Sequence, residues 1–164
     1  MQNDPTPVRF YEPGQYRPDE SVGYLLKKVI ASILAQADGR LGSCDLTYAQ
    51  WLPLYKLVVN DCQTMAGMAR ELEIDPGAMT RSLDRLEAKG LVRRERSTED
   101  RRVVKLVLTD EGQAVAGRVP PVLAEVLNGH LQGFSEAEWR QLLSFLHRML
   151  ANGEAMRAQQ PPNK

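Results

Sequence analysis

The stretch that decides the fold runs from Thr64 to Thr109 and reads TMAGMARELEIDPGAMTRSLDRLEAKGLVRRERSTEDRRVVKLVLT. It begins with apolar residues at helical spacing, which predict a short helix that needs a partner to cover it. Asp75 and Pro76 predict a second helix, because an N-cap carboxylate accepts free backbone N–H groups and proline is tolerated at the first helical position. We expect that helix to end at Gly90, where a residue without a Cβ adopts a left-handed conformation.

After Gly90 the sequence predicts a β-hairpin, with strands at residues 91–96 and 103–108 and a polar tip between them. Between Arg93 and Lys105 there are six basic and three acidic residues, whereas the whole chain of 164 residues has a formal net charge of zero. The hairpin is therefore locally cationic, and a polyanion interacts with this local charge rather than with the net charge of the chain. Two short helices followed by a charged hairpin are the element order of a winged helix-turn-helix.

Long apolar stripes flank this stretch on both sides. A helix from Asp19 ends at Gly39 or Gly42, and another starts at Thr47, whose capping box uses Gln50. Pro53 falls beyond the first turn of that second helix, so it removes a backbone hydrogen bond unless the helix bends or starts later. After Thr109, a proline pair at residues 120–121 predicts a kink or a break, and a capping box at residues 135–138 starts the last helix.

The rest of the composition excludes several classes of protein. No apolar run approaches the roughly 20 residues that a membrane span needs, and no signal peptide is visible, so we expect a cytoplasmic protein without a membrane partner. Cys44 and Cys62 do not form a close-spaced metal motif, and His130 and His147 are isolated. No nucleophile stands at a recognisable spacing from a base. The sequence therefore predicts no catalytic residue, no metal and no cofactor.

The motifs resemble those of the MarR family of bacterial transcriptional regulators. The resemblance lies in MA at residues 68–69 with Leu72, DPGAMTR at residues 75–81, LEAKGLVRR at residues 86–94, DRR at residues 100–102 and LTDEG at residues 108–112. It joins the second helix, the hairpin and the following helix at fixed spacing, and it covers residues from about 18 to 152. It implies a homodimer on double-stranded DNA, in which each protomer places its recognition helix in the major groove and its wing tip in the minor groove.

The predicted fold is mainly α with a small β-wing. It consists of a winged helix-turn-helix DNA-binding lobe and a helical dimerisation region from the N- and C-terminal helices. We expect an extended arm at residues 1–18, the dimerisation region at 19–45 and 110–156, the DNA-binding region at 46–109 and a disordered tail at 157–164. The excess apolar surface of the first and last helices predicts that they pack together and against their copies in a second chain.

The predicted DNA-binding residues lie on the recognition helix and the wing. The alternative is that they are ordinary solvated charges. Arg81 suits a base edge, since a guanidinium can bond to O6 and N7 of guanine together, whereas Arg85 lies one turn further on, where a phosphate is expected. The full set is Thr80, Arg81, Ser82, Arg85, Arg94, Arg101 and Arg102.

The resemblance also implies that Asp100 holds the shape of the wing by pairing with one arginine while another enters the minor groove. Spacing does not decide which of Arg101 and Arg102 takes which role. A narrow A·T-rich groove concentrates negative potential, which is a physical reason for an arginine there.

Aromatic and basic residues on the first two helices form a candidate effector site, where family members commonly have a cleft. Aromatic walls with one or two cations suit a flat anion. The alternative is that these are core aromatics and surface bases. The set is Arg17, Tyr24, Lys28, Tyr48, Trp51 and Tyr55.

Together these features predict a homodimeric repressor that a small aromatic carboxylic acid releases from a pseudo-palindromic operator. The resemblance points to a hydroxylated pyridine or benzene carboxylate. A different hypothesis is a thiol redox sensor of the same fold that uses Cys44 or Cys62. Peroxide-sensing relatives carry the reactive cysteine near the start of the first helix, where this chain has none.

Overall fold

The computed structural model describes residues 8–42, 45–59, 64–97 and 103–159. The helices are α1 Val22–Leu41, α2 Tyr48–Val58, α3 Met65–Glu71, α4 Pro76–Ala88, α5 Asp110–Ala116, α6 Val119–His130 and α7 Glu136–Ala158. The strands are β1 Val92–Arg96 and β2 Val104–Leu108, which pair antiparallel with Val92 opposite Leu108 and Arg96 opposite Val104. The predicted fold class, mainly helical with a small wing, is confirmed.

The chain divides into two compact units, residues 1–126 and 127–164. The first unit contains the arm, α4, the wing and a continuous core. The second contains α7, in which no side chain is buried. No helix in the described ranges is both long and apolar enough to cross a membrane. The packing of the first helix against the last stays a prediction.

Helices from both ends of the first unit supply its core. Each helix has an amphipathic face, and its apolar side chains are removed from water by packing against the apolar face of another element. Those at most 5 % exposed include Ala37, Leu41, Trp51, Leu54, Met68, Met79, Leu83, Leu86, Leu106, Ala116 and Val119.

Local signals placed most helix ends correctly. The Asp75 carboxylate accepts the backbone N–H of Ala78 at 2.9 Å, and Gly90 has the expected positive φ of 69° just after α4. At the start of α7 the Ser135 hydroxyl and backbone N–H both donate to the Glu138 carboxylate, at 2.7 and 2.8 Å. These two bonds hold the pKa of Glu138 below its ordinary value. The capping boxes at residues 47–50 and 135–138 are both present.

The prolines behave differently in the two places where they interrupt a helical pattern. Pro53 lies inside α2, which continues past it to Val58, and its side chain is buried. The chain breaks between α5 and α6 at Gly117 and Arg118, and Pro120 and Pro121 then fall in the first turn of α6, where no N–H donor is required. The break is the correct alternative there.

The arm docks on the first turn of α1 through two tyrosines. The Tyr11 hydroxyl accepts the backbone N–H of Val22 at 3.0 Å, and the Tyr16 hydroxyl donates to the Ser21 hydroxyl at 2.7 Å. The Ser21 hydroxyl in turn accepts the N–H of Tyr24 at 3.3 Å. The arm therefore supplies an acceptor for one free N–H at the start of α1, and it donates to the hydroxyl that accepts another.

The predicted C-terminal tail was wrong at its start. Residues 157 and 158 belong to α7, which ends at Ala158. Residues 160–164 of that tail lie outside the described residues.

The wing and α5 meet on the backbone that follows α4. The Leu91 carbonyl accepts the N–H of Thr109 at 3.1 Å, and the Thr109 hydroxyl donates to the Gly90 carbonyl at 2.6 Å. The start of α5 lies so close that a Cβ on Gly112 would be 1.9 Å from the Leu91 carbonyl oxygen. A backbone atom cannot give way as a flexible side chain can, so only glycine fits.

We expect Gly112→Ala to lower the free energy of unfolding by about 1–3 kcal/mol, because the added methyl forces α5 away from Leu91. The measurement is urea unfolding at fixed protein concentration. Gly117→Ala is the matched control at the other end of α5, where the nearest atom would be 3.5 Å from the new Cβ. Equal unfolding free energies for the two variants would show that the close approach does not constrain α5.

Candidate DNA-binding surface

The outer face of α4 presents two exposed arginines one helical turn apart. Arg81 and Arg85 are both exposed, and no described residue forms a hydrogen bond or ion pair with either of them. The N-cap at Asp75 fixes the start of this helix, and residues four apart in a helix lie on the same face. The two guanidinium groups are therefore free to bind an anion outside the protein.

Thr80 lies beside this face but is occupied by local contacts. Its hydroxyl donates to the Pro76 carbonyl at 2.8 Å, and the sulfur of Met65 is 3.2 Å from the same oxygen. The side chain is half-buried. The hydroxyl oxygen keeps acceptor capacity, since a hydroxyl has two lone pairs.

The placement of Ser82 on the outer side of α4 was wrong. Ser82 is only 6 % exposed, and its hydroxyl donates to the backbone carbonyl of Ala49 in α2. The sequence carried a signal for this, because Ser82 stands three residues after Met79 and four before Leu86, both of which face the core.

Arg94 forms a brace between the wing and α4. Its guanidinium donates to the carboxylate of Asp84 at 2.6 Å and to that of Glu87. The hydrogen bond with Asp84 raises the pKa of Arg94 above its ordinary value, against the opposing effect of burial, and the charge of Glu87 raises it further. Arg94 is thus engaged within the protein and does not offer a free cation.

Of the other two arginines on β1, one is paired with an acid and one is not paired with any described residue. The Arg93 guanidinium lies 2.5 Å from the Glu95 carboxylate, whereas Arg96 is exposed and has no partner among the described residues. Arg96 was missing from the predicted site. The signal available was its position at the last residue of the strand, next to the polar tip.

Several predicted residues lie outside the described residues. They are the wing-tip residues Asp100, Arg101 and Arg102 and the cysteines of the redox hypothesis, Cys44 and Cys62. Their roles stay predictions.

Four of the six predicted effector residues form two separate side-chain pairs, a tyrosine with a lysine on α1 and two aromatic residues on α2. Tyr24 and Lys28 lie on an exposed part of α1, with the Lys28 amine 5.6 Å from the ring centre. Tyr48 and Trp51 make an edge-to-face contact on α2, with ring centres 5.2 Å apart. These four side chains share no ring contact across the two pairs.

Trp51 does not offer the open ring face that was expected. It is 3 % exposed, and its indole N–H donates to the carboxylate of Asp38 in α1 at 3.1 Å. Tyr55 is half-buried against the core, and Arg17 is exposed but paired with Asp19 at 3.2 Å. Of the six residues, Tyr24 and Lys28 are the pair that is open to a ligand and not engaged by an acid.

A shallow apolar depression of about 370 Å³ lies between α3 and the start of α4. Its lining contains none of the six predicted effector residues. The residues that line it are Met65, Ala66, Ala69, Arg70, Ile74 and Pro76. No cluster of three or more His, Cys, Asp and Glu side chains that could hold a metal ion occurs within the described ranges.

Comparison with known proteins places this surface in a family. The MarR family model matches residues 46–104, which span α2, α3, α4, β1 and the chain as far as the first residue of β2. The crystal structure of transcriptional regulator PA3341 is 33 % identical over 82 % of this chain and 99 % of its own, with a TM-score of 0.75. The chain belongs to the MarR family. It is therefore a transcriptional regulator of the winged-helix type.

Two further solved structures share the fold at lower identity. The S. aureus MepR–DNA complex is 24 % identical, covers 82 % of this chain and 97 % of its own, and has a TM-score of 0.74. Bordetella bronchiseptica BpsR, whose DNA binding is regulated by 6-hydroxynicotinic acid, is 24 % identical over 83 % of this chain and 97 % of its own, with a TM-score of 0.71.

Proposed function

We propose that this MarR-family regulator is a homodimeric repressor that reads a pseudo-palindromic operator with α4 in the major groove. The observation that carries the proposal is that Arg81 and Arg85, on the outer face of an N-capped helix, are exposed and have no ion-pair partner within the described ranges. In this assignment Arg81 binds a base edge and Arg85 a phosphate, while Arg101 or Arg102 enters the minor groove beside Arg96.

Exposed apolar side chains support a dimer held by α1 and α7, within the proposed dimerisation region at residues 19–45 and 110–156. On α1, residues Val22, Leu25, Val29 and Ile30 are 42–53 % exposed. On α7, Trp139, Met149 and Leu150 are 40–62 % exposed. Covering such side chains is favourable by about 25 cal/mol per Å² of apolar surface, so a second copy is a suitable partner for both helices.

We further propose that a small aromatic carboxylate binds at Tyr24 and Lys28 and releases the operator. A ring can stack on the exposed tyrosine while the lysine amine pairs with the carboxylate. The regulation of BpsR by 6-hydroxynicotinic acid supports this class of ligand, since that compound is a flat aromatic acid. Trp51 is left out of the proposed contacts because its ring is enclosed.

The energy required is within reach of a weak ligand. A ligand shifts a two-state equilibrium only through its differential affinity for the two states. With one site per protomer and about a hundredfold preference at each, the equilibrium of a dimer moves by about ten thousandfold, roughly 5.5 kcal/mol.

The first test uses a duplex that the wild-type protein selects from a random-sequence library. Arg81→Ala should cost roughly 1–3 kcal/mol per half-site and relax the preference at one base pair, since a bidentate base contact is lost. Arg85→Ala should instead weaken selected and scrambled duplexes alike and reduce the log–log salt slope by about 0.9 per protomer. Fluorescence anisotropy measures both.

Arg140→Ala is the control for this test, because Arg140 is an exposed arginine on α7 that pairs with Glu136 at 2.5 Å. Unchanged affinity, specificity and salt dependence in both α4 variants would overturn the DNA-site assignment.

The second test concerns assembly. Ile30→Glu and Leu150→Glu each place a charge on a proposed dimer face, and each should convert the dimer to a folded monomer or an aggregate. Sedimentation equilibrium gives the mass, with Gln141→Glu as a control that adds the same charge to another exposed position on α7. A normal dimer from both charged variants would show that the interface lies elsewhere.

The third test concerns release. Adding 6-hydroxynicotinic acid, hydroxybenzoates or benzoate should dissociate the selected duplex, and Lys28→Gln should raise the required concentration about tenfold by removing the cation. The exposed neighbour Lys27→Gln is the matched control. If no acid in this panel releases the DNA, or if both lysine variants respond as wild type does, the proposed effector site is wrong.

A further inference from the structure

Pro53 leaves one carbonyl of α2 without its ordinary donor. In an α-helix the N–H of each residue donates to the carbonyl four residues earlier, and proline has no N–H. Pro53 is buried in the middle of α2, so the carbonyl of Ala49 receives no bond from it. A helix carbonyl that lacks its intrahelical donor needs another hydrogen-bond partner, either water or a neighbouring side chain.

The missing donor comes from the recognition helix. Ser82 of α4 donates its hydroxyl hydrogen to the Ala49 carbonyl. The serine is 6 % exposed whereas Ala49 is exposed, so the bond lies at the edge of the contact between α4 and α2. A proline in one helix and a serine on the apolar face of another thus compensate each other.

The same turn of α2 is fixed to α1 on its other side. The indole N–H of Trp51 donates to the Asp38 carboxylate at 3.1 Å, and the ring of Tyr48 packs edge-on against Trp51. Ala49 lies between these two aromatic residues in sequence. The carbonyl that Ser82 binds therefore belongs to a turn whose own position is defined.

We propose that Ser82 is a positioning residue for DNA reading, and that its bond to Ala49 sets the rotation of α4 on α2. This inference rests on the proposed function of Arg81. Arg81 directly precedes Ser82 on a rigid helix, so any rotation that Ser82 allows carries Arg81 through the same angle. Base-edge hydrogen bonds require donor–acceptor distances of about 2.7–3.2 Å, so a small rotation breaks them.

A purely structural role can be separated from a positioning role by restoring the missing N–H. Pro53→Ala gives the Ala49 carbonyl an intrahelical donor, and the second lone pair of the carbonyl still accepts from Ser82. In Ser82→Ala the carbonyl loses its protein donor and the link is lost. In the double variant Pro53→Ala, Ser82→Ala the carbonyl is satisfied but the link between the helices is still absent.

The experiment measures the melting temperature and the specificity ratio for these three variants. The ratio is the Kd for a scrambled duplex divided by the Kd for the duplex that the wild-type protein selects. We expect Ser82→Ala to lower the melting temperature and to reduce the ratio about tenfold through weaker binding of the selected duplex alone. The salt slope for the scrambled duplex should not change, because no cation is lost.

The double variant should regain the melting temperature but keep the reduced ratio, and Pro53→Ala alone should keep the wild-type ratio. Recovery of the ratio in the double variant would overturn the proposal, because Ser82 would then only satisfy the carbonyl. An unchanged ratio in Ser82→Ala would overturn it too. If Ser82→Ala does not fold, the double variant carries the test, since its carbonyl has a donor.

Ser21→Ala is the matched control. Ser21 is also buried, at 4 % exposure, and its hydroxyl accepts the N–H of Tyr24 at the start of α1, away from α4. It should lower the melting temperature without changing the ratio. An equal fall in its ratio would mean that general destabilisation explains the effect. A wild-type protein that selects no duplex would instead overturn the proposed function itself.

Discussion

The backbone of Gly90 and Leu91 is the point on which the DNA-binding lobe depends. The Leu91 N–H donates to the Leu86 carbonyl at 2.9 Å, closing α4, while the Leu91 carbonyl accepts from Thr109 at the end of the wing. Gly112 brings the first turn of α5 against the same carbonyl. The end of the recognition helix, both ends of the wing and the start of α5 thus share one anchor. Backbone contacts at this anchor and the ion pairs of Arg94 with Asp84 and Glu87 together set the orientation of the wing.

Some arginines near this anchor form ion pairs within the protein, whereas others are exposed to solvent. Asp84 stands three residues after Arg81 on α4, at a spacing where the two could pair. Its carboxylate instead lies 2.6 Å from the Arg94 guanidinium of β1. Arg94 thereby fixes the wing to α4 and neutralises acids that would repel a phosphate. Arg81 and Arg85 remain without an acid of their own among the described residues. The ion pairs of Arg94 thus occupy two acids of α4 that lie close in sequence to Arg81 and Arg85.

The sequence predicted the features that are determined by residues close together in the chain, and it did not predict those that depend on contacts between different elements. The start of α4 at Asp75, its end at Gly90 and the capping box at residues 135–138 are set by neighbours within one turn, and all were predicted correctly. The partner of Arg94 and the enclosure of Trp51 depend on other elements, so spacing alone could not reveal them. Ser82 is an intermediate case. Its inward position follows from the helical period of α4. Its hydrogen-bond partner could not be predicted in the same way, because the Ala49 carbonyl is available only through Pro53 in another helix.

These contacts give α2 a central place in any response to a ligand. The arm caps α1 just before Tyr24, so the proposed ligand contacts, the proposed dimer face and the arm all lie near the first turns of one helix. The proposed DNA contacts lie on α4. Between them stands α2, tied to α1 through Trp51 and Asp38 and to α4 through Ala49 and Ser82. A ligand at Tyr24 and Lys28 shifts the DNA-binding equilibrium only if the two states differ in its contacts. Because hydrogen bonds join α2 to both α1 and α4, α2 is the most direct link between the proposed ligand contacts and Arg81.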